Sequence, residues 1–557
     1  MIKLKRLVYN CLLLFILLTG YSCEDFLSYS ENVLMTEEVA IKHINDAAAV
    51  GFYAYKFIKD DFRGGMRASA CDEAVFARPS YIQTYYDNSW SPFKLIDKRW
   101  AELYEGIYAC NNFLEVAADL TFENQATTQG FADKYKNYKS LKHEIIVLRA
   151  YFYFELAKRY NNVPLVTKML NTDEANTVSP TSGKEIFKWV ASQCNKEYEK
   201  MNEDFKESAI YNNQESRISK YFAKALESRA LLYAASPLFN NGTYDKASLK
   251  GSAKASLELI KAKEEAGVDI SKIDYYNLWN SINNTHYQNP EILGYKFIGK
   301  NNSFEKENFP VSFAGGNSGN CPTQNLVDAY DMQKGKTYDP ENPYQNRDGR
   351  LAKTIVFNGQ KWAYNKTVDV SYNGADGLPL KNATPTGYYL RKFAMKNTDL
   401  NAQNETSHTK IWIIFRLAEA YTNYAEAMAI LYGPNGTDGI LDRSAVESLN
   451  KVRRRVGNNV ADIPDNLSTD EFLATLKKEK FVEFAFEDHR FWDIRRWQIG
   501  DQTNRIHVME VTKKNGKIVY TKKKNAFVRD WQDKYYFYPI AHSEVMINKN
   551  IVQNPGW

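Results

Sequence analysis

The sequence predicts a mostly α-helical fold, a tetratricopeptide-like helical-repeat scaffold that carries long irregular loop insertions within a single large domain. Apolar residues recur at steps of three and four along much of the chain, which is the spacing of one helix face. Two passages, roughly 60–95 and 275–408, lose that spacing and are rich in loop-forming residues. No Gly/Ser-rich or Pro-rich linker divides the chain, so we expect one domain over residues 23–557. Its helical scaffold should occupy roughly 35–270 and 410–500.

The chain begins with the pattern of an export signal. Basic residues precede an apolar core, Cys11–Leu18, which is far below the roughly 20 residues that a membrane-spanning helix needs. Gly20-Tyr21-Ser22-Cys23 then resembles a lipoprotein cleavage site, with glycine where leucine is usual. We therefore expect residues 1–22 to be a lipoprotein signal peptide and Cys23 to be lipidated, which anchors a chain to a membrane without crossing it. Ordinary secretion with a free Cys23 is the alternative.

Composition and motifs exclude several functional classes. Removing residues 1–22 lowers the formal net charge from +5 to +2, so part of the basic character lies in the leader. An exported protein does not meet nucleic acid inside the cell, so we exclude nucleic acid as a partner. The run Arg453–Arg455 is interpreted as a solvated helix face with internal ion pairs. The body's four cysteines and the scattered histidines form no metal-ligand pattern, so we predict no metal, although calcium at the Asn373–Gly377 turn and disulfides stay open. No phosphate loop or nucleophile motif is present, and no cofactor is expected.

Six segments with helical spacing predict the N-terminal part of the scaffold. They lie at roughly 35–58, 100–120, 141–166, 183–203, 219–236 and 250–266. They lack a strict repeat of roughly 34 residues, so we interpret them as degenerate tetratricopeptide units. Each helix pair in such an array needs its neighbours to bury its apolar face.

Three more helical segments are predicted between Ile411 and Trp497. The first has an apolar face that begins at Leu417, and it ends at Gly433-Pro434, because proline cannot continue the helix. In the third segment, Glu487 and Arg490 lie on a polar face, close enough to pair. Its apolar stripe is predicted to consist of Phe481, Phe484, Ala485, Phe491 and Trp492.

Several motifs then occur in a fixed order along the chain. The segment 141–166 ends in RYNNVPLV, and the middle of the chain contains CPTQNLVDAYDM, NRDGRL and TGYYLRKF. FRLAEAYTNYAEA, LNKVRRRVG and EFAFEDHRFWDIRRW follow, and the chain ends in YPI and QNPGW. Together these motifs resemble the SusD/RagB family of outer-membrane nutrient-binding lipoproteins, over essentially the whole chain after Cys23.

The resemblance implies binding rather than catalysis. SusD-like proteins capture oligosaccharide at the cell surface and cap a SusC-like TonB-dependent outer-membrane transporter, and some relatives handle peptides. It therefore implies a lipid-anchored, surface-exposed outer-membrane protein that is not an enzyme. Its expected partners are a SusC-like transporter and a glycan.

Aromatic residues make up 14% of the chain, and tyrosine and tryptophan exceed what a core requires, because their polar groups need partners when buried. Sugars present apolar C–H faces and polar edges, so their sites combine flat aromatic residues with hydrogen-bonding side chains. Loops carry binding residues more often than a scaffold does. The predicted ligand-binding residues are Asp72, Arg78, Tyr81, Tyr85 and Trp90 in the first irregular passage and Phe313, Trp362 and Tyr364 in the second.

Two alternatives apply to these residues and to the function. Each of the aromatic residues could instead pack its loop onto the helices without contacting ligand. Trp90 and Trp362 are our leading candidates for ligand binding. A helical glycoside hydrolase would need two converging carboxylates, for instance Asp72 or Glu73 with Asp328 or Asp331. A peptide-binding protein of the same family and a scaffold that binds only protein are the other candidates. The carboxylates and arginines of 483–497 are interpreted as structural ion pairs, and Trp492 and Trp497 as core residues.

Overall fold

The computed structural model describes residues 42–62, 64–203, 216–280 and 286–557, and the structural statements below refer to them. The predicted signal peptide 1–22 and the lipidation site Cys23 lie outside the described residues. The predicted mostly α-helical class is confirmed. The fifteen α-helices of the described chain are α1 (Ile44–Tyr53), α2 (Arg99–Val116), α3 (Phe131–Tyr160), α4 (Thr172–Ala175), α5 (Gly183–Glu197), α6 (Lys220–Ala235), α7 (Lys246–Glu265), α8 (Ser303–Asn308), α9 (Gln324–Ala329), α10 (Leu351–Thr354), α11 (Leu417–Tyr432), α12 (Ala445–Arg453), α13 (Thr469–Glu483), α14 (His489–Arg496) and α15 (His542–Ile547).

The long helices stack in sequence order, as expected for a tetratricopeptide-like scaffold. Helix α2 packs on α3, α3 on α5, α5 on α6, α6 on α7, and α7 on α11, which packs on α12. Side chains cap several of these helices: Ser182, Asp245 and Ser444 each accept a hydrogen bond from the backbone N–H three residues on. The segment 147–160 of α3 is buried except for Glu155, as a helix enclosed by neighbours must be.

Ten strands form five two-stranded antiparallel sheets in the described chain. The β1–β5 pair joins the first irregular passage to the second, because Val75 lies opposite Cys321. The pairs are β1 (Ala74–Phe76) with β5 (Asn320–Pro322), β2 (Val163–Pro164) with β3 (Pro180–Thr181), β4 (Ile292–Asn301) with β8 (His408–Arg416), β6 (Ile355–Val356) with β7 (Tyr389–Leu390), and β9 (Arg505–Lys514) with β10 (Lys517–Val528).

The second helical stretch begins at Leu417, not near residue 410. The preceding residues, Ile411–Phe415, form part of β8, and all of them are buried. A short run rich in β-branched and aromatic residues suits a buried strand, and β4 supplies its partner from within the passage that was expected to be irregular.

The third predicted C-terminal helix is two helices, α13 and α14. The helix breaks between Glu483 and His489, where Phe486 (φ 61°) and Asp488 (φ 66°) have left-handed backbone conformations. The predicted Glu487–Arg490 pair is wrong. Glu487 instead binds Arg416 at 2.7 Å and Lys392 at 2.6 Å, and Arg490 binds Asp72 at 2.7 Å. The break turns the two side chains toward different partners.

Two of the three consecutive arginines are buried, which corrects the expectation of a solvated face. Arg453 binds Glu479 at 2.5 Å, and Arg455 binds Glu291 at 2.7 Å. Only Arg454 is exposed, where it pairs with Asp462 at 2.6 Å. The arginines therefore tie α12 to other elements, and the expected internal ion pairs are present.

Further features concern the membrane, thiols and metals. No helix among the described residues combines the length and the apolar character that crossing a membrane requires. Cys71, Cys110, Cys194 and Cys321 are buried and free. Over the same described ranges, no cluster of three or more histidine, cysteine, aspartate or glutamate residues has metal-binding geometry.

Candidate ligand-binding site

Trp90 and Tyr85 pack in an aromatic cluster with the C-terminal segment. Trp90 is only 2% exposed, and its ring lies 5.1 Å from that of Trp557 and 4.7 Å from that of Tyr538. The Tyr85 hydroxyl hydrogen-bonds the Tyr538 hydroxyl at 2.9 Å. Trp90 therefore holds its loop onto the body and offers no open face to a sugar, which is the packing alternative for this residue.

Asp72 and Arg78 serve ion pairs that join distant segments. The buried Asp72 carboxylate accepts two hydrogen bonds from Arg490, at 2.9 and 2.7 Å. Arg78 is partly exposed, donates to the Asn317 carbonyl at 2.6 Å and pairs with Glu307. These contacts connect the first irregular passage to α14 and to the second passage, and they engage the charged groups of both residues.

Phe313, Trp362 and Tyr364 come together in the second passage. Trp362 is 4% exposed, with the Arg391 guanidinium 5.4 Å from the centre of its ring. Phe313 is equally buried and stacks on Tyr364 with ring centres 6.4 Å apart. Only Tyr364 is open to solvent, and its hydroxyl donates to the Thr398 carbonyl at 2.8 Å. Trp362, like Trp90, has the geometry of a packing residue.

An open cleft lies beside Tyr81, and we call it the Tyr81 cleft. It encloses about 370 Å³, within the usual range of small-ligand sites. Three segments of the first part of the chain line it: residues 59–61 with 65 and 67, the 3₁₀ turn 81–85, and residues 96–102 at the start of α2. Of the eight predicted residues, Tyr81 and Tyr85 line this cleft, and Tyr81 forms its open aromatic wall.

Local packing fixes the position of the Tyr81 ring. The Ser80 N–H donates to the Gln83 side-chain oxygen at 3.2 Å, which closes the turn that carries Tyr81. The Tyr81 hydroxyl donates to the Gly65 carbonyl at 2.8 Å. A Cβ on Gly65 would lie 2.8 Å from the Cβ of Ile82, so glycine allows this close approach. The ring is held in place while half of its surface stays exposed.

Opposite charges balance each other along the cleft wall. At the floor, Asp61 accepts a hydrogen bond from the Arg67 N–H at 2.8 Å and pairs with its guanidinium at 3.2 Å. Arg67 also binds Asp488 at 2.7 Å. At the rim, Glu102 pairs with Arg99 at 3.0 Å and with Lys59 at 3.3 Å. The lining contains four acidic and four basic side chains, so it presents fixed dipoles rather than one net charge.

The Asp61 carboxyl is a weaker acid than an ordinary aspartate side chain. Burial raises the pKa of Asp61 to about 7, against the opposing effect of Arg67 and with a further increase from Asp488. Below the cleft, a cavity of only about 60 Å³ continues between Arg67 and Arg99 into the helical core. This cavity is far smaller than the cleft, so we expect a ligand to occupy the cleft, between Tyr81 and the start of α2.

The carboxylates proposed for a hydrolase are each engaged in separate contacts. Glu73 is buried and accepts a hydrogen bond from the Phe486 N–H at 2.5 Å, and burial raises its pKa to about 8. Asp331 binds Arg453 at 2.9 Å, Asp328 binds Lys522, and Asp72 binds Arg490. None of the four lines the Tyr81 cleft.

Sequence reasoning missed the rim of the cleft. Asp97, Arg99 and Glu102 lie at the start of α2, where charged residues are common for structural reasons, and their spacing alone does not indicate a site. A usable signal was their position directly after the aromatic loop, in the run IDKRWAE.

Two family models match complementary parts of the chain. The model of the SusD family matches residues 280–557. A second model, described as starch-binding associating with outer membrane, matches residues 25–233. Together they span most of the chain and leave residues 234–279 between them. The comparison with curated proteins gave no match.

Solved structures share the whole fold. A SusD-like protein from Bacteroides fragilis NCTC 9343 is 24% identical, with a TM-score of 0.72 over 93% of this chain and 98% of that chain. A SusD-like carbohydrate binding protein from the same organism is 22% identical, with a TM-score of 0.71 over 92% and 99% of the two chains. The surface glycan-binding protein A of Bacteroides uniformis is 16% identical, with a TM-score of 0.63 over 92% and 99%. At these identities the likeness shows the fold.

Proposed function

The chain belongs to the SusD family, and on that premise we propose that it is a cell-surface lipoprotein that binds oligosaccharide or polysaccharide. We further propose that lipidated Cys23 anchors it in the outer membrane and that it delivers its ligand to a SusC-like TonB-dependent transporter. The family models and the names of the structural relatives support a glycan as the ligand class.

The observation that carries this proposal is the Tyr81 cleft. A fixed, half-exposed aromatic ring faces a rim of charged side chains whose hydrogen-bonding groups lie at the surface. The ring supplies the flat face on which the C–H face of a sugar packs, and the rim supplies donors and acceptors for its hydroxyl groups. The lining has a formal net charge of zero with Asp61 ionised and of +1 with Asp61 protonated, so the cleft suits an uncharged glycan.

The same geometry favours capture over hydrolysis. Hydrolysis of a glycosidic bond needs a protonated carboxyl and a second carboxylate on either side of the bond. In the cleft, Asp61 is protonated up to near-neutral pH, but it is 9% exposed and its oxygens already contact Arg67. The exposed carboxylates of the rim, such as Glu102, are neutralised by cations. We therefore propose a binding protein without catalytic activity.

Calorimetry combined with product analysis tests this proposal. Residues 24–557 are titrated with a panel of neutral and acidic polysaccharides and with peptides, and new reducing ends are assayed in the same samples. We expect saturable binding to a neutral glycan class without new reducing ends. New reducing ends that disappear in Asp61→Asn would contradict the proposal in favour of a hydrolase, and binding only to peptides would favour the peptide-binding alternative.

A further inference from the structure

The β9–β10 hairpin concentrates the positive charge of the protein. Between Arg505 and Val528 the sequence contains seven basic residues and one acidic residue, Glu510. The whole chain has a formal net charge of only +5, so the remainder of the chain is slightly negative. The hairpin is therefore a distinct basic surface, and the Tyr81 cleft shares none of its residues.

The two faces of the hairpin differ near its tip. Met509 and Val511 are buried against the body of the protein, whereas Glu510 and Lys514, which alternate with them along β9, are exposed. At the tip, Lys514 lies directly opposite Lys517 across a turn formed by Asn515 and Gly516. Both lysines are exposed. The outward face thus ends in two adjacent ammonium groups.

Only part of this charge is neutralised within the protein. Lys513 pairs with Asp369 at 2.7 Å, and Lys522 pairs with Asp328. In the described part of the chain, Lys514, Lys517 and Lys524 form no ion pair. Like charges directly opposite each other in a sheet are destabilising, so the Lys514–Lys517 pair costs stability unless an anion lies between the two ammonium groups.

Protection of a sheet edge accounts for Lys517, which lies in β10, but not for Lys514. Lysine on an open edge strand blocks pairing with other chains, and β10 has such an edge because β9 is its one strand partner in the described chain. Lys514, however, belongs to β9, whose outer edge is already covered. The Val511 carbonyl accepts from the Tyr372 N–H at 2.8 Å, and the Met509 N–H donates to the Thr386 carbonyl at 2.9 Å.

We propose that the outward face and tip of this hairpin form a second binding surface, which takes a polyanionic polysaccharide bearing carboxylate or sulfate groups. A lipid surface is the less suitable partner, because inserted apolar residues add to charge attraction when a protein binds a membrane. The exposed apolar residues of the hairpin, Phe527 and Val528, lie at its base, at the opposite end from the turn. The proposal does not depend on glycan binding in the Tyr81 cleft.

A charge-neutralising triple variant tests the proposal. Lys514→Gln/Lys517→Gln/Lys524→Gln replaces each ammonium group with a neutral polar amide and removes the three unpaired charges. The matched control, Lys136→Gln/Lys196→Gln/Lys246→Gln, removes three exposed charges on α3, α5 and α7, which also form no ion pair among the described residues. Binding to immobilised heparin and to polygalacturonate is measured at about 50 mM and about 500 mM salt, with neutral dextran and anionic phospholipid vesicles as comparison probes.

We expect the wild-type protein to bind at least one of the two polyanions at low salt and to lose that binding at high salt. The hairpin variant should bind on the order of tenfold more weakly, since each exposed charge contact contributes modestly. The control variant and Tyr81→Ala should bind the polyanion as the wild type does, with unchanged melting temperatures.

Three results would overturn the proposal: no polyanion binding by the wild type, equal losses of polyanion binding in both triple variants, or stronger binding of the wild type to the vesicles than to the polyanions. Weaker polyanion binding by Tyr81→Ala would place the polyanion in the cleft and contradict the proposal. If the wild type binds a polyanion but no neutral glycan, only the proposed function is contradicted.

Discussion

The buried charge network at α13 and the Tyr81 cleft use the same kinds of side chain in different surroundings. In the network, Glu483 accepts hydrogen bonds from Arg416 at 2.7 Å and from Arg350 at 2.8 Å, and none of these side chains is more than 1% exposed. In the cleft, Glu102 pairs with Arg99 at 3.0 Å with about a third of its side chain exposed. The first arrangement can only hold neighbouring segments of the chain together, whereas the second leaves hydrogen-bonding capacity for a ligand.

The same contrast separates two aromatic residues of the first irregular passage. Trp90 is enclosed by Tyr538 and Trp557, and Tyr81 keeps an open face over the cleft. Residue type and position near a loop are therefore insufficient to identify a binding residue. What decides is whether distant parts of the chain cover the ring.

Breaking the buried network should have the largest effect. Glu483→Gln leaves Arg350, Arg416 and Arg455 without their shared carboxylate, and removal of one partner from a buried ion pair costs about 3–5 kcal/mol of unfolding free energy. Urea denaturation measures this loss. Glu102→Gln at the cleft rim is the matched control and should cost no more than about 1 kcal/mol. Equal losses would show that the two regions do not differ as described.

Substituting alanine for Trp90 should have the next-largest effect on stability, and the same substitution at Tyr81 should affect glycan affinity instead. Trp90→Ala should lower the unfolding free energy by about 3–5 kcal/mol, because it removes a large buried ring, and should leave glycan affinity unchanged. Tyr81→Ala should show the reverse pattern. Denaturation and calorimetry on both variants test this, and a specific loss of affinity in a folded Trp90→Ala protein would restore Trp90 as a ligand contact.

Glu426, which lies 3.8 Å from Lys480 of α13, and Asp61 of the cleft should respond to pH with opposite signs. Burial alone would raise the pKa of Glu426, but Arg496 and its other partners lower it to about 2, so its stabilising contribution is present above its unfolded pKa and is lost as pH falls toward 2. Burial raises the pKa of Asp61 to about 7, so its contribution is present below its unfolded pKa and is lost as pH rises through 7.

Variants separate these two pH effects. Asp61→Asn should gain stability relative to the wild type between about pH 4 and about pH 8, because the wild type must ionise a buried carboxyl over this range. Glu426→Gln should be most destabilised at neutral pH and should approach the wild type near pH 2. Urea midpoints across this range measure both, and a pH-independent difference for Asp61→Asn would contradict the raised pKa.

The smallest expected effect concerns the rim ion pairs. Lys59→Gln removes one partner of Glu102 at the surface, so stability should change by less than about 1 kcal/mol. Glycan affinity should change by a few-fold at most, with weaker salt dependence than the hairpin surface shows. Thermal melting and calorimetry check both values, and a stability loss as large as that of Glu483→Gln would mean that the rim is part of the core.

Local periodicity was sufficient to predict the helical scaffold, and the family motifs supported the same fold. The helices Gly183–Glu197 and Lys220–Ala235 lie within the segments predicted at roughly 183–203 and 219–236, although the first helix ends six residues before its predicted end. The break before α14 was not predictable in this way, because Phe486 and Asp488 adopt left-handed backbone without a glycine or proline to mark the turn.

Whether an aromatic residue of the loops is buried or exposed depends on long-range contacts, which a local sequence pattern does not contain. Trp90 is covered by residues more than 440 positions later in the chain, and Trp362 by Phe309 and Arg391. Tyr81 was predicted from its residue type and loop position, whereas its rim partners Asp97, Arg99 and Glu102 looked like ordinary charges at a helix start. Long-range packing therefore selected the candidate site from a larger predicted set.

The most direct test compares two equally exposed tyrosines. Tyr81 is 50% exposed in the cleft, and Tyr364 is 49% exposed in the second passage, so an alanine substitution removes a similar open ring at each position. Calorimetric titration uses the glycan that the wild type binds most tightly. We predict roughly tenfold weaker binding for Tyr81→Ala and unchanged binding for Tyr364→Ala. Unchanged affinity in Tyr81→Ala together with a loss in Tyr364→Ala would contradict the assignment and would move the site to the second passage.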